Sequence, residues 1–91
     1  MKSPVKSATT PRFWQCFDRL PTPIQALARQ RFGLWKADPY QQSLHFKRLA
    51  PLPLWSVRVN IQYRALAKET SDGFVWFWIG THAEYDRLIA G

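Results

Sequence analysis

Ninety-one residues make one small domain, with room for a single sheet and two or three helices. Thirteen Lys/Arg against six Asp/Glu leave a net charge of +7, which points to an anionic partner: nucleic acid, an acidic protein or a membrane surface. With 46% hydrophobic residues the chain is no disordered tail, and its longest apolar run, Phe74 to Ile79, is too short to cross a bilayer.

Residues 1–10 are basic and rich in Pro, Ser and Thr, and read as a flexible tail with no apolar leader. A single domain is expected over residues 11–91. Arg12 to Leu20, with its aromatic and β-prone residues, predicts a first strand. Its one cysteine, Cys16, permits no internal disulfide and fits a reducing, cytoplasmic setting. No Cys/His pair has finger-like spacing, so neither a metal nor another cofactor is expected. Pro21-Thr-Pro-Ile-Gln25 then starts a helix, with Thr22 as cap and Gln25 completing a T-x-x-Q box. Ile24, Leu27, Ala28, Phe32 and Trp35 recur at helical spacing up to Lys36, and Asp38-Pro39 ends the element.

Three strands are predicted next. Leu44–Leu49 and Trp55–Asn60 alternate, and Tyr63–Lys68 pairs with the latter across a turn near Asn60. Alternation sends Leu44, Phe46, Trp55, Val57 and Val59 toward the helix. It leaves Lys47, Ser56, Arg58 and Asn60 on the opposite face, where Arg64 joins them. His45 on that face reads as a surface strand residue. Thr70-Ser-Asp-Gly73 turns into Phe74–Ile79, a strand apolar on both faces and therefore central. Gly80 reads as a break, after which Thr81 and Glu84 form a T-x-x-E capping box for a short closing helix. The fold class is α+β: a small antiparallel sheet with a helical layer on one face and a short C-terminal helix.

The junction at Gly80 puts His82 on the first helical turn, with Tyr85 three residues on. Groups able to move protons, beside the fixed cations Lys47, Arg58 and Arg64, suggest a phosphodiester substrate.

Trp55-Ser-Val-Arg-Val, Tyr63-Arg-Ala-Leu and Trp76-Phe-Trp-Ile-Gly-Thr-His-x-x-Tyr85-Asp together resemble the RelE/ParE superfamily of type II toxins, over residues 12–90. The resemblance implies a small basic α+β toxin neutralised by a cognate acidic antitoxin, reaching operator DNA only through that complex and binding no membrane. On the RelE-like side it implies a metal-free endoribonuclease that cuts mRNA on the ribosome through the ribose 2′-OH. On the ParE-like side it implies a non-enzymatic inhibitor of DNA gyrase; a degenerate member would only bind its antitoxin and operator. Carried over by position, Arg58 holds the scissile phosphate and Arg64 follows the hairpin tyrosine. Lys47 and Arg48 match a basic pair that meets RNA. His82 matches the histidine-using branch, as base, and Tyr85 lies near the tyrosine of the arginine/tyrosine branch.

Overall fold

The computed structural model describes residues 6–90. The first half holds strand β1 (Lys6–Thr9) and helices α1 (Pro11–Asp18) and α2 (Thr22–Ala37). A single 3-10 turn (Gln42–Leu44) then leads into strands β2 (Lys47–Arg48), β3 (Leu54–Arg58), β4 (Tyr63–Glu69) and β5 (Gly73–Thr81), and helix α3 (His82–Ala90) closes the chain. The five strands form one sheet in the order β1-β5-β4-β3-β2. β2, β3, β4 and β5 pair antiparallel, and β1 pairs parallel with β5. The expected α+β architecture is present, and β5 is an interior strand as its two apolar faces required.

Strand pleating divides the molecule. One face carries Val57, Ala65 and Ile79 into a core that α1 and α2 close with Phe17 and Trp35. Trp35, 1% exposed, meets Phe46, Phe74 and Trp76 edge-on, with ring centroids 5.2–5.6 Å apart. Such pairs add roughly 0.5–1.5 kcal/mol each beyond their buried area. On the other face Leu66 and Trp78 stand side by side in register, and Tyr85 of α3 covers them. The short C-terminal helix thus sits across the sheet from the other two.

Several predicted elements change. The segment Arg12–Leu20, expected as a strand, is helix α1. Thr10 caps it, its Oγ1 accepting from Phe13 N at 3.1 Å, and Pro11 occupies the first turn. Phe13 and Phe17, four apart, then share the core-facing side, so packing overrides the β propensity of the aromatics. The T-x-x-Q box at Thr22 does not form: the chain enters α2 at Pro21 without a side-chain cap. Gln25 Nε2 instead donates to the carbonyls of Phe17 and Leu20 at 3.1 and 3.2 Å, closing the end of α1 and stapling the helical hairpin.

Residues 6–9, read as tail, form β1; residues 1–5 lie outside the described residues. β1 docks where Gly73, at a φ of 154°, admits the Lys6 carbonyl into the space a Cβ would fill. The strand expected over Leu44–Leu49 shrinks to Lys47–Arg48, because the 3-10 turn ends in His45 at a φ of 47°, which interrupts any ladder. Gly80 is no break either. β5 runs through it to Thr81, and a Cβ there would press on the Trp78 ring.

Candidate functional site

At the end of the sheet beside the β3–β4 turn, strand register sets a row of polar side chains on the face that α3 occupies. Arg58 of β3 lies directly opposite Arg64 of β4, and Arg64 opposite Gly80 of β5. On the outer side of Arg58 stands His45, whose Nε2 lies 3.3 Å from Arg58 Nη1. Because the guanidinium only donates, a hydrogen bond at this contact requires His45 Nε2 as the acceptor. Lys47 pairs with Ser56, on the same face as this row. Arg48 pairs with Trp55 and takes the other face, so the structure separates the predicted basic pair.

The β3–β4 turn positions the rest. Asn60 Oδ1 accepts from Gln62 N and Tyr63 N at 2.8 and 2.9 Å, folding the turn around its own side chain. Arg64 Nη1 donates to the Asn60 and Tyr63 carbonyls, which holds the guanidinium at the turn. The Gln62 carbonyl accepts from His82 N at 2.7 Å and so fixes where α3 begins. Local sequence sets the same point through the expected capping box. Glu84 N donates to Thr81 Oγ1 at 3.2 Å, and Thr81 N donates to Glu84 Oε1 at 3.1 Å. Those bonds from Thr81 hold the Glu84 carboxyl below the ordinary glutamate range.

His82 is therefore the first residue of α3, as expected. Its Nδ1 lies 3.0 Å from Asp86 Oδ2, one helical turn on, which leaves Nε2 outside that pair. Tyr85 stacks obliquely beside it, with ring centroids 5.7 Å apart. The Tyr85 side chain is 5% exposed and packs on Leu66 and Trp78, so its ring is a wall of the site as well as core. Burial, and then the charge of Arg58, lower the Arg64 pKa, while Tyr85 and Asp86 work in the opposite direction. The Arg64 guanidinium remains a cation at any physiological pH. Beside the row a cleft of about 730 Å³ opens between α1 and α3, with Arg12, Arg19 and Arg87 among its lining.

Of the predicted site residues, Arg58, Arg64, His82 and Tyr85 converge on this end of the sheet, Lys47 shares the face and Arg48 does not. Sequence reasoning passed over Asp86, although His-x-x-x-Asp in a first helical turn is a readable spacing for a hydrogen-bonded pair. It placed Asn60 at the turn and on the polar face without its hydrogen bonds, and passed over Gln62, whose role depends on a contact with His82 N. The arrangement offers two fixed cations for an oxyanion and an imidazole oriented by a carboxylate, the components of metal-independent acid–base chemistry on an anionic ester.

A five-stranded sheet with a helical hairpin on one face, and a cationic, histidine-flanked end on the other, defines a small toxin fold. Residues 23–87 match the family model of the ParE-like toxin domain. The chain belongs to that family, within the RelE/ParE superfamily of toxins. None of the curated proteins matches the chain by sequence. Among solved structures, it is similar to the YoeB/ParE toxin from Agrobacterium tumefaciens, with a TM-score of 0.67 and 14% identity over 86% of this chain and 99% of the other. The RelBE2 toxin–antitoxin complex from Mycobacterium tuberculosis gives 0.66 and 19%, covering 88% and 100%. YafQ from E. coli gives 0.68 and 11%, covering 89% and 97%. Among the described residues, no helix is long and apolar enough to cross a membrane.

Proposed function

We propose that this toxin is a ribosome-dependent mRNA endoribonuclease, neutralised by a cognate acidic antitoxin. The observation that carries the reading is the convergence of Arg58, Arg64 and the His82–Asp86 pair at one end of the sheet. Arg58 and Arg64 would hold the scissile phosphate and the charge that grows on it during attack by the ribose 2′-OH, a contribution of roughly 10²–10³ in rate for one such donor. His82 would transfer a proton through Nε2, with Asp86 holding the ring in the Nδ1–H tautomer and stabilising the imidazolium when it forms. Tyr85 would keep the imidazole in place from the side. Lys47, and Arg48 from the neighbouring surface, would meet the RNA backbone or the ribosome. Cleavage of this kind leaves a 2′,3′-cyclic phosphate.

An antitoxin partner is supported by the charge of +7 and by the RelBE2 neighbour, which was solved as a toxin–antitoxin complex. Operator DNA would be reached only through that complex. No membrane role is proposed, and the cytoplasm is the expected location.

The family model is that of the ParE-like domain, which favours a second reading, a non-enzymatic inhibitor of DNA gyrase. Induced expression of the wild type and of His82→Ala, with mRNA 5′ ends mapped by primer extension, separates the two. New ends inside translated codons that vanish in the variant support the nuclease. Growth arrest without new ends favours gyrase.

A further inference from the structure

The nuclease reading leaves one half of the reaction without a residue. Attack by the 2′-OH needs a base, departure of the 5′-oxygen needs an acid, and a single imidazole cannot serve as both in one step. Tyr85 is buried in the second core cluster. The remaining imidazole is His45, and two independent features set it apart from a surface histidine.

The first is its place in the row. His45 lies two residues before Lys47 and Arg58 two residues after its partner Ser56, and the contact of 3.3 Å shows the two side chains meeting. The row then runs His45, Arg58, Arg64, Gly80, with His82 just beyond, so an imidazole stands at each end of an arginine pair. Strands β2 and β5 lie three strand spacings apart, roughly 14 Å of backbone, and the arginines fill the interval. The second is the backbone. His45 is the only non-glycine residue with positive φ among the described residues, at 47°, a conformation that His tolerates better than most side chains. The left-handed residue ends the 3-10 turn and turns the imidazole toward Arg58, while Leu44 and Phe46 on either side go to the core.

We propose that His45 is the general base of this toxin and that His82 is its acid, an inference that rests on the nuclease reading. In the free protein Arg58 donates to His45 Nε2 and occupies the lone pair a base would use. A substrate phosphate draws the guanidinium to itself and releases that nitrogen. His45 Nε2 then takes the proton of the 2′-OH, and the 2′-oxygen forms its bond to phosphorus. The P–O5′ bond breaks, and the departing oxygen takes the Nε2 proton of His82, which entered as the imidazolium with Nδ1–H on Asp86. The products are a 2′,3′-cyclic phosphate and a 5′-hydroxyl. His45 is left protonated and His82 neutral, and exchange with water restores both.

The test is single-turnover cleavage of a short mRNA on programmed ribosomes by wild type, His45→Asn and His45→Gln. Asn tolerates positive φ, and Gln keeps an acceptor within reach of Arg58; neither can carry a proton. The expected result is a loss of roughly 100-fold or more in both, unchanged ribosome binding, and partial recovery on adding free imidazole. Wild-type cleavage by either folded variant overturns the proposal, as does a loss that imidazole does not relieve. A wild type that leaves the mRNA intact overturns the nuclease reading, and the base assignment falls with it.

Discussion

The two faces of the central strands make an informative pair, since the same residues in sequence feed both. In β3 and β4, Val57 and Ala65 point into an apolar cavity of about 300 Å³ between sheet and helices, walled also by Phe13, Phe17 and Trp35. Their immediate neighbours Arg58 and Arg64 point the other way, to the polar row. One residue of parity separates what holds the domain together from what would act on a phosphodiester. The apolar side is bound by area and ring contacts that are indifferent to pH and salt. The polar side is bound by a few directed hydrogen bonds, several of them to one turn. Stability and activity should therefore respond to different substitutions, even between adjacent residues.

The largest effect is expected on the apolar side. Trp35→Ala removes the ring on which Phe46, Phe74 and Trp76 converge, and should lower unfolding free energy by about 3–5 kcal/mol, read from urea denaturation. Next comes the polar row. Arg58→Ala should reduce mRNA cleavage roughly 10²–10³-fold while leaving the denaturation midpoint almost unmoved. A large fall in stability would show that the two faces are not independent. A smaller effect follows from Asp86→Asn, which should slow cleavage less than His82→Ala, because it disturbs the ring's orientation and leaves the ring in place. Nitrogen NMR of His82 checks that directly, by a loss of preference for the Nδ1–H tautomer. The smallest concerns Glu84. Its folded pKa lies below its unfolded one, so its contribution is complete above the ordinary glutamate range and fades as pH falls through the folded value. Glu84→Gln should flatten a slight acid-side decline in melting temperature. A wild type with no such decline would show that solvent screens the capping box at this exposed site.

What could be read in the sequence was what short spacing decides. Thr81 and Glu84 are three residues apart and bond as their box demands, so the start of α3 and the place of His82 followed directly. Alternation in β3 and β4 likewise sorted Val57 from Arg58. Failure came where a distant partner decided. Phe13 and Phe17 are compatible with strand or helix, and the Thr10 cap with the α2 hairpin chose helix. Gln25 matched a box in its own helix but found better acceptors at Phe17 and Leu20. Leu44, His45 and Phe46 kept the facing that alternation gave them, but His45 is left-handed, so only Lys47 and Arg48 join the ladder. Nothing within a few residues announces that turn.

The facing of Arg58 and Arg64 across β3 and β4 has a consequence for the resting protein. Like charges directly opposite each other in a sheet are destabilising, and burial depresses the pKa of Arg64 further. An anion bound between the two guanidiniums would relieve that repulsion. Under the proposed function, an RNA phosphate or an antitoxin carboxylate would supply that anion and raise the melting temperature by ordinary mass action. Inhibitor and substrate would then compete for one pair of arginines, and a thermal shift measured against simple polyanions would report on that pair.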